Sequence, residues 1–139
     1  MGAELHRVTS SGAKIAPVSV EAAEAFLARV GERGPDEIWI ALAALKDDES
    51  MIGIAVLGAS VSDEGRAMVA ISPEYRRLQI GTDLLHALGE DAHARGLRFM
   101  RIGYRADATT VDALVRSSGL MASREVANGL VTAVLFTAR

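Results

Sequence analysis

Two adjacent arginines, Arg76 and Arg77, stand just ahead of a run that reads as the start of a helix, and Gly81 lies within its first turn. From Gln79 onward, Ile80, Leu84, Leu85, Leu88 and Ala92 recur at spacings of one, three and four, the apolar stripe of an amphipathic helix. Ahead of the arginines, Arg66 to Ser72 reads as a strand and Pro73-Glu74-Tyr75 as a turn. A helix that opens directly after a strand presents backbone N–H groups without intrahelical partners and carries a partial positive charge there. Those donors, with guanidinium groups beside them, suit the diphosphate of a nucleotide-like cofactor. A glycine in the first turn lets such a ligand approach closely. The plainer alternative is an amphipathic helix after a turn, with two solvated arginines.

Other kinds of chemistry have little to stand on. Zero cysteines exclude disulfides, thiolate metal sites, a cysteine nucleophile and with it a thioester enzyme intermediate. Their absence also fits a reducing compartment, and a cytoplasmic location is expected. His6, His86 and His93 lack metal-ligand spacing, so no metal site is expected, and the last two should lie on or beside the polar face of the central helix. A net charge of −3 and a pI near 5.6 give no basic footprint, which argues against nucleic acid as a partner. The opening MGAELHRVTSSG lacks an apolar run of signal-peptide length, and no stretch approaches the ~20 apolar residues that a bilayer span needs. A soluble protein without a membrane partner is expected. At 139 residues, 50% of them hydrophobic, residues 1–139 should form one domain with a substantial core.

The elements that must position the helix start follow in chain order. Glu4 to Thr9 and Ala13 to Val18 flank Ser10-Ser11-Gly12 and read as a hairpin, with Pro17 arguing for an edge position. Ser19 caps a helix carrying Ala23, Phe26, Leu27 and Val30 on one face and closed by Gly31. After the short loop Glu32 to Asp36 come Glu37 to Leu45, Met51 to Ala59 and Arg66 to Ser72, joined by compact polar turns in the pattern of an antiparallel meander. Beyond the central helix, stopped by Gly96, Arg98 to Tyr104 returns as a strand parallel to the third of these. A right-handed crossover then sets the helix start at the carboxyl edge of the sheet, where ligands bind. A shorter helix starts at Asp107 or Thr109, turns Val111, Leu114 and Val115 inward, and closes at Gly119. Met121 to Val126 and Leu130 to Thr137 flank Asn128-Gly129 and predict a C-terminal β-hairpin.

In this setting PEYRRLQIGTDLL resembles the pyrophosphate-binding signature of the GNAT N-acetyltransferase superfamily: Gln or Arg, two variable residues, Gly, one variable residue, then Gly or Ala. Arg76 matches its first position and Gly81 its last, whereas Gln79 stands where the first glycine is expected, which narrows the room beside the phosphates. The element order is similar to the GNAT fold over nearly the whole chain. That implies an α/β protein with a mixed sheet, an antiparallel meander, one parallel βαβ unit at a cofactor cleft, and the hairpin. The segments KIAPVSVEAAEAF and ARGLRFMRIGYRADATTVDALVRSSGLMASREVANGLVTAVL resemble the acetyltransferase domains of bacterial protein-lysine acetyltransferases.

The resemblance implies acetyl-CoA as co-substrate. Its pantetheine arm would meet Val69 and Ile71, and its diphosphate the backbone of Arg76, Arg77, Leu78, Gln79, Ile80, Gly81 and Thr82. Many family members keep a glutamate near Glu64 that accepts a proton from the amine through water, and Glu64 is carried over as the catalytic candidate. Aligning on Gly119-Leu120 puts Ala108 and Val115 at the positions of the family's usual asparagine and of the tyrosine that protonates the leaving thiolate, so the phenol is absent. The loop Glu32 to Asp36 replaces a longer acceptor-side wall. Either the acceptor is large, as a protein lysine would be, or a second subunit, as in a homodimer, completes the wall, or there is no acceptor. The implied function is acetyl-CoA-dependent N-acetylation of an amine, small molecule or protein lysine. The alternatives are a catalytically weak acyl-CoA-binding or regulatory module, and a structural domain that binds no CoA. Fold resemblance alone does not choose among them.

Overall fold

The computed structural model of the chain describes residues 7–8, 12–58, 64–75 and 79–137. Its elements are β1 (Arg7–Val8), β2 (Lys14–Pro17), α1 (Val20–Arg29), β3 (Ile38–Leu45), β4 (Met51–Gly58), β5 (Glu64–Ile71), a 3-10 turn (Pro73–Tyr75), α2 (Ile80–Ala94), β6 (Phe99–Arg105), α3 (Thr109–Ser117), β7 (Met121–Ala127) and β8 (Leu130–Phe136). The strands form one sheet of eight in the order β1-β2-β3-β4-β5-β6-β8-β7. Neighbours are antiparallel except β5 and β6, which are parallel. This is the GNAT-like α/β architecture expected from the element order. The third meander strand starts at Glu64, two residues before the expected Arg66, so Glu64 belongs to β5 rather than to the turn ahead of it.

Side-chain alternation explains how the layers form. On one sheet face Ala41, Ala43, Ile54, Val56 and Ala70 pack against Ala23, Phe26 and Leu27 of α1. On the other, Ile40, Leu42, Ala55, Leu57, Ala67, Met100 and Ile102 pack against Ile80, Leu84, Leu85 and Leu88 of α2 and Val115 of α3. β4 is buried on both faces, which is why it reads as a continuous apolar run. Leu84, Leu85 and Leu88 are completely buried, each burial being worth about 1.5–3 kcal/mol. That anchors α2 and fixes where its first turn emerges.

The ends of the elements obey local rules. Ser19 accepts a hydrogen bond from the backbone N–H of Ala22 at 3.1 Å and caps α1. Asn128 and Gly129 adopt φ of 54° and 76°, the left-handed pair that a tight hairpin turn requires. Pro17 pairs with Leu42 of β3, whereas β1 reaches only Lys14 and Ile15, so the proline needs no donor on its outer side. α3 begins at Thr109 without a side-chain cap at Ala108. Asp112 holds it instead, accepting from Tyr104 Oη at 2.7 Å, Arg116 Nε at 2.7 Å and Arg124 Nη2 at 3.1 Å. These bonds, from Arg116 first, lower the Asp112 carboxyl to about 2, while burial and the bond to Asp112 raise the Tyr104 phenol. The network ties β6, α3 and β7 together, and α3 forms one wall of the site.

Candidate functional site

The sheet opens between its two parallel strands. β5 and β6 pair at Glu64–Phe99, Gly65–Met100 and Arg66–Arg101. Beyond Arg66, β5 stays with β4 as far as Ile71, and β6 stays with β8 as far as Arg105, so the two diverge. The gap holds a cavity of about 870 Å³, within the usual range for small-molecule sites. Its walls are the end of β5 (Val69, Ala70, Ile71), the first turn of α2 (Gln79, Gly81, Thr82), α3 with the segment before it (from Asp107 to Ser117), and, across the sheet, Val30 and Glu32 at the end of α1. Val69 and Ile71 belong to the α2 face and Ala70 to the α1 face, so the cavity passes from one side of the sheet to the other.

Most of the expected cofactor-side residues come together here. Val69, Ile71, Gln79, Gly81 and Thr82 all line the cavity. The Ile80 side chain does not: it is 1% exposed and packed in the core, leaving only its backbone to face a ligand. Arg76, Arg77 and Leu78 lie outside the described residues. Thr82 Oγ1 lies 3.2 Å from Ser117 Oγ, a hydroxyl pair bridging α2 and α3. One turn further along α2, a His86 ring nitrogen lies 2.6 Å from the Ser118 carbonyl. His86 and His93 are both exposed, as expected for the polar face.

Gln79 caps α2 in the left-handed region, with φ 62° and no side-chain cap bond. The residue at this turn must therefore tolerate positive φ, a conformational demand as well as a question of room. Left-handed backbone costs a non-glycine residue roughly 1–2 kcal/mol, and glycine adopts it without that strain. Gln79→Gly is expected to raise unfolding free energy by about 0.5–1 kcal/mol, the relief being offset in part by glycine's greater unfolded-state entropy. Urea denaturation measures this, and a clear loss of stability would mean that the glutamine side chain holds a contact of its own.

Gly81 is buried, and a Cβ added there would collide with the Leu114 side chain of α3. Its small size thus serves helix packing in addition to any close ligand approach. On the catalytic side the positions differ from expectation. Glu64 does not line the cavity: its Oε1 accepts from Arg101 Nε at 3.0 Å, across the start of β5 and β6. Val115, aligned with the missing tyrosine, is completely buried in the core, and Leu114 takes its place on the cavity wall. Ala108, at the asparagine position, does line the cavity. Sequence reasoning singled out neither Leu114 nor Ser117 as a wall residue, and it placed Glu32 only within the shortened acceptor-side loop. Leu114 and Ser117 share the Val111 face of α3, a spacing of three that was legible, while Glu32 sits in a loop with no periodic signal.

Among the described residues no group of three or more His, Asp or Glu side chains is placed to hold a metal, and no helix is long and apolar enough to cross a membrane.

Comparison with known proteins agrees with this fold. A mycothiol acetyltransferase from Thermobifida fusca (strain YX) is 34% identical over 96 residues, which are 69% of this chain and 29% of that enzyme's length. Among solved structures, the GNAT domain of S. lividans PAT superposes with a TM-score of 0.75 at 14% identity, covering 96% of each chain. A phosphinothricin acetyltransferase from Sinorhizobium meliloti, solved in complex with AcCoA, gives 0.59 at 24% identity, covering 86% of this chain and 69% of that one. The sequence model described as the acetyltransferase (GNAT) family matches residues 7–116, and the chain belongs to that family.

Proposed function

We propose that this domain binds acetyl-CoA in the cavity between β5 and β6 and transfers its acetyl group to an amine. The carrying observation is a cavity that opens on both faces of a splitting sheet beside the first turn of a helix. Two reactants can then meet from opposite sides without a covalent enzyme intermediate. The pantetheine arm runs along Val69 and Ile71, and the diphosphate takes the backbone of residues 76–82, where helix-terminus N–H groups and positive potential favour it. The thioester carbonyl is polarised by backbone donors of β5, and the enzyme contributes chiefly orientation and fixed dipoles. The mycothiol acetyltransferase relative supports acetyl transfer as the reaction class. The acceptor, a small amine or a protein lysine, and a cytoplasmic setting are parts of the same reading, as is a second subunit completing the acceptor wall.

A second reading, an acyl-CoA-binding module with weak or no turnover, is favoured by the wall itself. Leu114 offers no proton to a leaving thiolate, and Glu64 is paired with Arg101. Thermal unfolding with acetyl-CoA and free CoA, followed by thioester turnover over a panel of amines, tests both. Acetyl-CoA at a hundredfold excess over Kd is expected to stabilise the fold by about 2.7 kcal/mol. No shift at millimolar cofactor would overturn cofactor binding. A shift without turnover on any amine or lysine peptide would favour the binding module.

A further inference from the structure

We infer that Thr82 and Ser117 are positioning residues for the cofactor: their hydroxyl pair ties α3 to the first turn of α2 and so sets the width of the slot between α3 and β5 that takes the pantetheine arm. The inference rests on the cofactor-binding half of the proposed function and gives the α3 wall a defined part in it.

α3 needs such a tie because its apolar anchorage is thin. Of its residues Val115 alone is buried, with Val111 and Leu114 half-buried against the core, whereas Leu84, Leu85 and Leu88 hold α2 in full burial. Asp112 fixes α3 to β6 and β7 through Tyr104 and Arg124. Those bonds leave the seam with α2 to be held by others.

Two side-chain bonds cross that seam. Thr82 Oγ1 lies 3.2 Å from Ser117 Oγ, and His86 Nε2 lies 2.6 Å from the Ser118 carbonyl. Thr82 and His86 are four residues apart and share a face of α2, while Ser117 and Ser118 close α3, so the two bonds lie side by side along the seam. Proton counting gives their directions. A carbonyl only accepts, so His86 donates through Nε2. Ser117 Oγ donates its single proton to the Leu114 carbonyl at 3.1 Å, so Thr82 donates to Ser117. Thr82 is 9% exposed, and both residues of the pair line the cavity.

The slot has Val69 and Ile71 of β5 on one side and Val111, Leu114 and Ser117 of α3 on the other. A ligand that needs both walls binds only the molecules in which α3 is drawn in, and its apparent Kd rises as that fraction falls.

Calorimetric titration of the full chain with acetyl-CoA tests the tie. Thr82→Val keeps the shape and removes the hydroxyl, and Ser117→Ala removes its partner. Each should weaken binding by about 2- to 10-fold, which is what one neutral hydrogen bond is worth in an equilibrium constant. Thr82→Ser should bind like wild type. The Thr82→Val/Ser117→Ala double variant should bind no more weakly than the weaker single variant, because both changes break the same bond. Urea unfolding without ligand checks that each variant is folded. Wild-type affinity in either single variant would overturn the inference, as would a Thr82→Ser protein as weak as Thr82→Val. Losses that add in the double variant would overturn it too, because each hydroxyl would then act on the cofactor separately. Wild-type protein that binds no acetyl-CoA at millimolar concentration would instead overturn the cofactor reading on which the inference rests.

Discussion

In a Leu114→Ala background, Gly81→Glu is expected to fold and to lose all stabilisation by acetyl-CoA, whereas Gly81→Ala in the same background keeps it. The background is needed because any side chain at Gly81 meets Leu114. A single substitution would then mix overpacking, typically 1–3 kcal/mol, with whatever it does to a ligand. Leu114→Ala costs about 2 kcal/mol at this partly buried position but opens the space into which a new Cβ would project. Alanine at 81 then regains up to about 1 kcal/mol in helix propensity over glycine. Glutamate there places its own carboxylate on the N-terminal dipole of α2, where an anion is favoured by about 0.3–1 kcal/mol. The fold is thus retained while the charge competes with the diphosphate for the same donors. Thermal unfolding with and without acetyl-CoA reads the result. A folded Gly81→Glu/Leu114→Ala protein that responds to acetyl-CoA like its alanine counterpart would remove the diphosphate from the start of α2.

What the sequence made legible was whatever leaves a periodic or punctuating trace. The stripe Ile80, Leu84, Leu85, Leu88 predicted the buried face of α2 because a 3.6-residue period can face only one side. Asn128-Gly129 predicted its hairpin because both residues accept positive φ. The parallel placement of β6 followed from the helix between the strands, since a parallel return needs a crossover. Less was legible where a residue's role depends on distant partners. Nothing local to Glu64 announces Arg101, which lies across the sheet on another strand. Nothing local to Glu32 announces that the end of α1 reaches a cavity formed by β5 and α3. The Gln79 departure was visible, but its physical meaning was not, because it lies in a φ of 62° that only the folded chain displays.

The same distinction governs Val115. Aligned by Gly119, it occupies the position from which a tyrosine would reach the cofactor sulfur, and on that alignment a phenol restored there would speed the leaving thiolate. Its environment predicts the opposite. Val115 is completely buried, in a cluster with Ile80, Leu84, Leu120 and Met100, and the cavity wall on this helix is Thr109, Thr110, Val111, Ala113, Leu114 and Ser117. Tyrosine adds an aromatic ring to a packed site and brings a hydroxyl that needs a partner when buried. Overpacking costs typically 1–3 kcal/mol, and an unsatisfied hydroxyl adds roughly 1–3 kcal/mol. Val115→Tyr is therefore expected to lower stability by about 2–6 kcal/mol and to leave kcat on any amine substrate no higher than wild type. Thermal and urea unfolding, with acetyl-transfer rates measured below the unfolding midpoint, check both halves. A Val115→Tyr protein of wild-type stability that turns over faster would mean that the ring reaches the cavity, and that α3 sits rotated from the orientation in which Leu114 forms its wall.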